Sequence, residues 1–194
     1  MTKGRLEAFT DGVVAILITI MVLELKVPAG GDLNALRTVF PTLLAYLLSF
    51  VFLGIYWNNH HHMLHSAKHI DGAVLWANLN LLFWLSLVPF GTKWMDETGF
   101  AAATVGLYGV LLLLCGVSYF LLTKALVRVN GRESEFARRL GSDFKGKLSV
   151  ALYASGIALS FVSPALAQTV YVLVALMWLV PDRRFAHHNP EQPD

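Results

Sequence analysis

Runs free of Asp, Glu, Lys and Arg cover residues 38–67, 72–92, 98–123 and 148–181. Each is long enough for a helix across a hydrocarbon layer of about 30 Å, which takes roughly 20 residues. The last run has room for two helices, and Ser163-Pro164 divides it near its middle. Serine is a good N-cap and proline fits the first helical position, so a tight hairpin of two shorter helices is predicted there. The first segment differs, because its charge-free core runs only from Gly12 to Leu23, about 18 Å of helix at 1.5 Å per residue. To reach across, it must draw Phe9, Thr10 and Asp11 below the headgroups. The pattern therefore predicts an all-α membrane protein of six transmembrane helices, over about 4–26, 35–62, 69–95, 98–127, 146–162 and 164–181. They form a single domain over 1–182, followed by a short tail, 183–194, and the first helix is the polar one.

Composition agrees with this. The 194 residues are 56% hydrophobic and only 14% charged, with a mean hydropathy of +0.57, too few charges to coat a soluble domain. Six spans use about 120 residues, which leaves no room for a separate catalytic or dinucleotide-binding domain. The net charge of +2 offers no basic surface for nucleic acid. No nucleophile set, metal set or phosphate loop supports an enzyme. The single cysteine, Cys115, excludes an internal disulfide and any cysteine metal cluster, and sits in an apolar run as a small hydrophobe. Lys3 and Arg5 before an apolar run suit a signal peptide, but Glu7, Asp11, Glu24 and Lys26 stand where such a peptide is free of charge, so the segment is expected to be retained. With the N-terminus inside, twelve of the 15 Lys and Arg residues lie on the cytoplasmic side, leaving Lys26, Arg37 and Lys93 outside. Both termini are then cytoplasmic. The stretch from Arg128 to Lys147 reads as a solvated connector.

An ionisable side chain inside a bilayer costs roughly 2.5–3.5 kcal/mol unless it is paired or wet, so Asp11 needs a partner. On a wheel of 100° per residue it lies about 140° from Ile16, while Ile16, Thr19, Ile20 and Leu23 fall in one stripe no wider than about 100°. One face of the first helix thus carries a carboxylate toward neighbouring helices, and another presents branched aliphatic groups interrupted by a hydroxyl. Two readings of Thr10-Asp11-Gly12 stand: an interfacial N-cap worth about 1 kcal/mol, or an anchor held by Arg5, Trp57, Asn58, His60 and Asn78, which this topology puts at the same depth. Glu24, at the outer end, can form a cation-concentrating ring or pair with Lys26.

Arg5-x-x-x-Phe9-Thr10-Asp11, then Trp57-x-x-His60-His61, then Asn78 running into Leu87-Val88-Pro89-Phe90-Gly91-Thr92 resembles the bacterial branch of the transmembrane protein 175 family of potassium channels, across all six spans. The family signature has serine where this chain has Thr10, a change that keeps the hydroxyl and adds a methyl. The resemblance implies a homotetramer in the plasma membrane of a prokaryote, with the first helices lining a central pore and no selectivity-filter loop. It implies a constriction at Ile16, further pore layers at Thr19, Ile20 and Leu23, and a polar network of Arg5, Asp11, Trp57, Asn78 and either His60 or His61. No cofactor or resident metal is expected, only permeant potassium and other monovalent cations. The expected function is passive conduction with modest preference for potassium over sodium, gated by a hydrophobic ring that excludes water. The rival is a proton-coupled or proton-conducting transporter using Asp11 and the histidines.

Two patterns mislead. Thr104-Val105-Gly106-Leu107-Tyr108-Gly109 looks like a potassium filter with an extra leucine, but it runs straight into Val110–Leu114 as one apolar helix, where Gly106 and Gly109 suit close helix packing. His61, His65 and His69 share a face at i, i+4 and i+8. No carboxylate or thiolate joins them, so a solvated, proton-sensing helix end is expected in place of a metal site.

Overall fold

The computed structural model describes residues 2–140 and 144–179, apart from the Arg139 side chain. The tail expected over 183–194 and the end of the last span, at 181, lie outside these residues. Eight helices are found among them: α1 Lys3–Leu23, α2 Ala35–Ser66, α3 Gly72–Ser86, α4 Val88–Glu97, α5 Ala102–Asn130, α6 Glu135–Leu140, α7 Phe144–Ser160 and α8 Pro164–Leu179. Among the described residues four stretches are long and apolar enough to cross a membrane: α1, α2, the α3–α4 pair Gly72–Glu97, and α5. α7 and α8, of 17 and 16 residues, reach about 24–26 Å at 1.5 Å per residue.

Local chemistry explains each departure from the expected boundaries. The third span breaks at Leu87, because Pro89 has no N–H to continue the ladder and sits in the first turn of a new helix, α4. Gly99 and Phe100 take φ of +60°, a reversal that delays α5 to Ala102. The connector after Arg128 is not wholly solvated, since it contains α6, whose Phe136 is buried. Asn130 stays on the last turn of α5 and Gly131, at φ +95°, makes the turn. The Asn130 amide accepts from the backbone N–H of Lys68 and His69, each at 2.9 Å, and donates to the His69 carbonyl at 3.0 Å. It thereby clamps the α2–α3 loop to α5. In that loop Asp71 caps α3 by accepting from Val74 N–H at 2.9 Å and pairs with Arg128 at 2.8 Å. These donors, the Val74 N–H first, hold its carboxyl below the usual carboxylate range. The predicted hairpin is present, with Ser163 between α7 and α8 accepting from Leu166 N–H.

α5 is the central helix and packs against α3, α4, α7 and α8, while α1 lies against α2, α3 and α4. Polar pairs replace solvent inside the bundle. The Ser49 hydroxyl bonds those of Thr92 at 2.6 Å and Tyr108 at 2.9 Å, and Asn80 donates to Ser118 at 2.7 Å. The filter-like hexapeptide is plain α5 helix, and its glycines admit neighbours. A Cβ at Gly106 would stand 2.8 Å from Ser160 Oγ, and one at Gly109 only 2.0 Å from the Tyr171 hydroxyl. Tyr171 is fully buried and donates to the Val105 carbonyl at 3.3 Å, so it cannot yield. Gly109→Ala is expected to cost about 1–3 kcal/mol through overpacking, lowering the melting temperature of the detergent-purified protein. Gly116→Ala, whose Cβ meets nothing closer than 3.8 Å, should leave it unchanged.

Candidate functional pore helix

α1 buries one narrow stripe, Leu6, Thr10, Val14, Leu17 and Met21, at the three- and four-residue spacing of a single helix face. Thr10 is therefore eight residues or so inside a helix that begins at Lys3 and is 1% exposed. The N-cap reading of Thr10-Asp11-Gly12 is corrected: Thr2 occupies the cap position.

Two short sets of bonds hold this face. In one, the Trp57 indole Nε1–H donates to Asp11 Oδ1 at 2.8 Å. In the other, His60 Nε2 donates to Asn78 Oδ1 at 2.7 Å, and Asn78 Nδ2 donates to the Thr10 hydroxyl at 2.9 Å. Thr10, His60 and Asn78 are all buried, Asn78 completely, so each bond replaces water the interior lacks. α1, α2 and α3 are thus tied together at one level. The histidine in this set is His60. His61 is exposed and stacks on the His65 ring at a centroid distance of 6.1 Å. Among the described residues no His, Cys, Asp and Glu group could hold a metal ion.

Arg5 is not brought to Asp11. Six residues of helix turn it about 120° away from the aspartate, and its guanidinium has no ion pair or hydrogen bond among the described residues. The Arg5 side chain lies instead on the outward face, about 20° round from Ile16, together with Phe9, which is 49% exposed. The Lys26 pairing expected for Glu24 is also corrected, since Glu24 forms an ion pair with Lys93 of α4. Both groups are about two-fifths exposed, so solvent screens the pair and leaves it weak, but it matches the Glu24 charge locally. Sequence reasoning missed Lys93 as a partner, although it and Glu24 were both assigned to the outer side. It also missed Lys3, whose ammonium donates to the Ala67 carbonyl at 3.2 Å and joins the start of α1 to the end of α2.

The opposite face of α1 is exposed. Ile16 is 57% exposed, Ile20 44% and Leu23 81%, and Thr19 between them is exposed too. The Thr19 hydroxyl donates its proton to the Ile16 carbonyl at 2.9 Å, so its free lone pairs are what it presents outward. An aliphatic stripe with a layer of oxygen acceptors, on a helix fixed from behind by buried hydrogen bonds, is suited to facing copies of itself across a narrow path.

A family model described as endosomal/lysosomal potassium channel TMEM175 matches residues 5–89. The chain is 50% identical over 184 residues to a potassium channel of Chryseobacterium sp. (strain P1-3), covering 95% of this chain and 96% of that protein. It is 32% identical over 190 residues to a potassium channel of Streptomyces collinus, covering 91% of each. Its fold superimposes with a TM-score of 0.82 on the crystal structure of a lysosomal potassium-selective channel TMEM175 homolog from Chamaesiphon minutus, at 29% identity over 93% of this chain and 97% of that one.

Proposed function

Because the chain belongs to the TMEM175 family, a family of multi-pass membrane channels and not of enzymes, we propose that it is a potassium channel whose pore is lined by α1. The observation that carries this reading is the pairing of a braced helix with an exposed stripe: Thr10 and Asp11 held from α3 and α2, while Ile16, Thr19, Ile20 and Leu23 are exposed in their own subunit.

Four copies around an axis bring the Ile16 side chains into a ring too narrow and apolar to hold water, which closes the path by dewetting. A small widening lets an ion through with part of its hydration shell removed. Potassium holds that shell less tightly than sodium and loses less, and the Thr19 lone pairs replace part of what is lost. The preference is therefore modest, with no carbonyl-lined filter. Glu24 adds little field at the outer mouth, because Lys93 offsets it in the same subunit. In this reading the charge-free runs supply six spans, the distribution of basic residues supports both ends being cytoplasmic, and the bacterial relatives support a prokaryotic plasma membrane.

The test is flux. Proteoliposomes loaded with potassium and diluted into a low-potassium medium should develop an interior-negative potential without any imposed pH gradient. A potential that forms only when a proton gradient is supplied would instead mark a proton-coupled transporter.

A further inference from the structure

Away from the pore helix, α2, α5, α7 and α8 enclose a cavity of about 300 Å³, within the range of small-ligand sites. Its wall is aromatic, with Phe52, Tyr56, Tyr119, Phe120, Tyr153 and Trp178 contributing. Several polar groups in the wall are already engaged. Tyr119 donates to the Asn59 carbonyl at 3.2 Å, Asn59 donates to the Ile55 carbonyl at 2.8 Å, and Ser149 accepts from Trp178 at 2.8 Å.

Two phenols are different. Neither the Tyr56 nor the Tyr153 hydroxyl makes a hydrogen bond among the described residues. The Tyr153 side chain is only 3% exposed, and every sealed side-chain polar atom among the described residues has a partner. Its unbonded hydroxyl must therefore be one that reaches the cavity. Leaving a phenol unbonded in an apolar site is unfavourable, and Lys147, in the first turn of α7 and without a side-chain partner among the described residues, adds a third donor at the rim. Both tyrosines flank Gly116, whose Cβ, if present, would lie 3.8 Å from the Tyr56 hydroxyl and 3.9 Å from the Tyr153 ring.

We propose that this cavity binds a lipophilic ring compound bearing carbonyl oxygens, an aromatic ketone or quinone headgroup, that stacks among the aromatic side chains and accepts hydrogen bonds from Tyr56 and Tyr153. The aromatic rings select a flat apolar body, and the idle donors select oxygen acceptors on it. A saturated acyl chain satisfies the first requirement and leaves the second unmet. The ligand arrives from the bilayer and undergoes no reaction in the site.

A matched pair of probes separates these contributions: menadione, and 2-methylnaphthalene, which has the same rings and methyl group without the two carbonyls. Equilibrium dialysis against the detergent-purified full chain should show saturable binding of menadione about tenfold tighter than that of 2-methylnaphthalene, the worth of one to two neutral hydrogen bonds. The isosteric double variant Tyr56→Phe, Tyr153→Phe should bind both equally. Gly116→Leu, which meets only ordinary contacts at its Cβ and extends into the cavity, should abolish saturable binding of both while the protein still elutes as the wild type does. Equal binding of the two probes by the wild type would overturn the proposal, as would saturable binding of neither. So would a preference for menadione that survives in the double variant. If Gly116→Leu does not fold, the double variant alone decides.

Discussion

Replacing Ile16 with asparagine is expected to raise potassium flux through proteoliposomes by at least about tenfold, a barrier lower by about 1.4 kcal/mol, and to reduce the preference over sodium. On the proposed reading the side chain keeps its length, so a ring at this position stays in place, but each copy now offers an amide that holds water where the apolar ring would exclude it. Ile18 is the control. It lies about 160° from Ile16 round the helix and packs against the core of its own subunit, so Ile18→Asn buries an amide among apolar neighbours and should reduce the yield of assembled protein without raising flux per channel. Similar behaviour of the two variants, in flux and in yield, would mean that the bare stripe of α1 does not face the ion path.

The second large effect is expected at Asn78. Asn78→Leu removes at once the acceptor of His60 and the donor to Thr10. Both of those groups are buried, at 2% and 1% exposed, and an orphaned buried polar group costs about 1–3 kcal/mol. The melting temperature and the assembled fraction on size exclusion should both fall sharply. Trp57→Phe should cost much less, because Asp11 is itself exposed and can take water. The triple change Thr10→Val, His60→Phe, Asn78→Leu leaves no orphan and should recover much of the stability, since apolar replacement of a whole set of bonded groups is often near neutral. Failure of the triple variant to improve on Asn78→Leu would mean that the single change acts through packing volume.

Charge-free runs revealed the all-helical membrane architecture because a bilayer enforces them along the whole length of a span. The breaks were harder to see. Pro89 lies inside a continuous apolar run, and only the loss of its hydrogen bond turns Gly72–Glu97 into two helices. At the site, Thr10, Asp11, Trp57, His60 and Asn78 were all visible as polar groups at one depth, but how they divide was not. Depth is readable from position along a span, whereas azimuth depends on how neighbouring helices are rotated. Arg5 illustrates the limit: its depth suits Asp11, and its direction round α1 does not. Glu24 does so in reverse, bonding a lysine distant in sequence because α4 brings Lys93 to it. The aromatic cavity had no sequence signature at all, since its wall is drawn from four helices.

The donors that fix α1, Trp57 on one side and Asn78 with His60 on the other, belong to the same polypeptide as the helix they hold. On the proposed channel reading, each copy therefore sets the angle of its own pore helix before it meets its neighbours. A defect in these braces is then inherited copy by copy, so that oligomers of mixed parentage grade smoothly from sound to impaired with no all-or-none collapse.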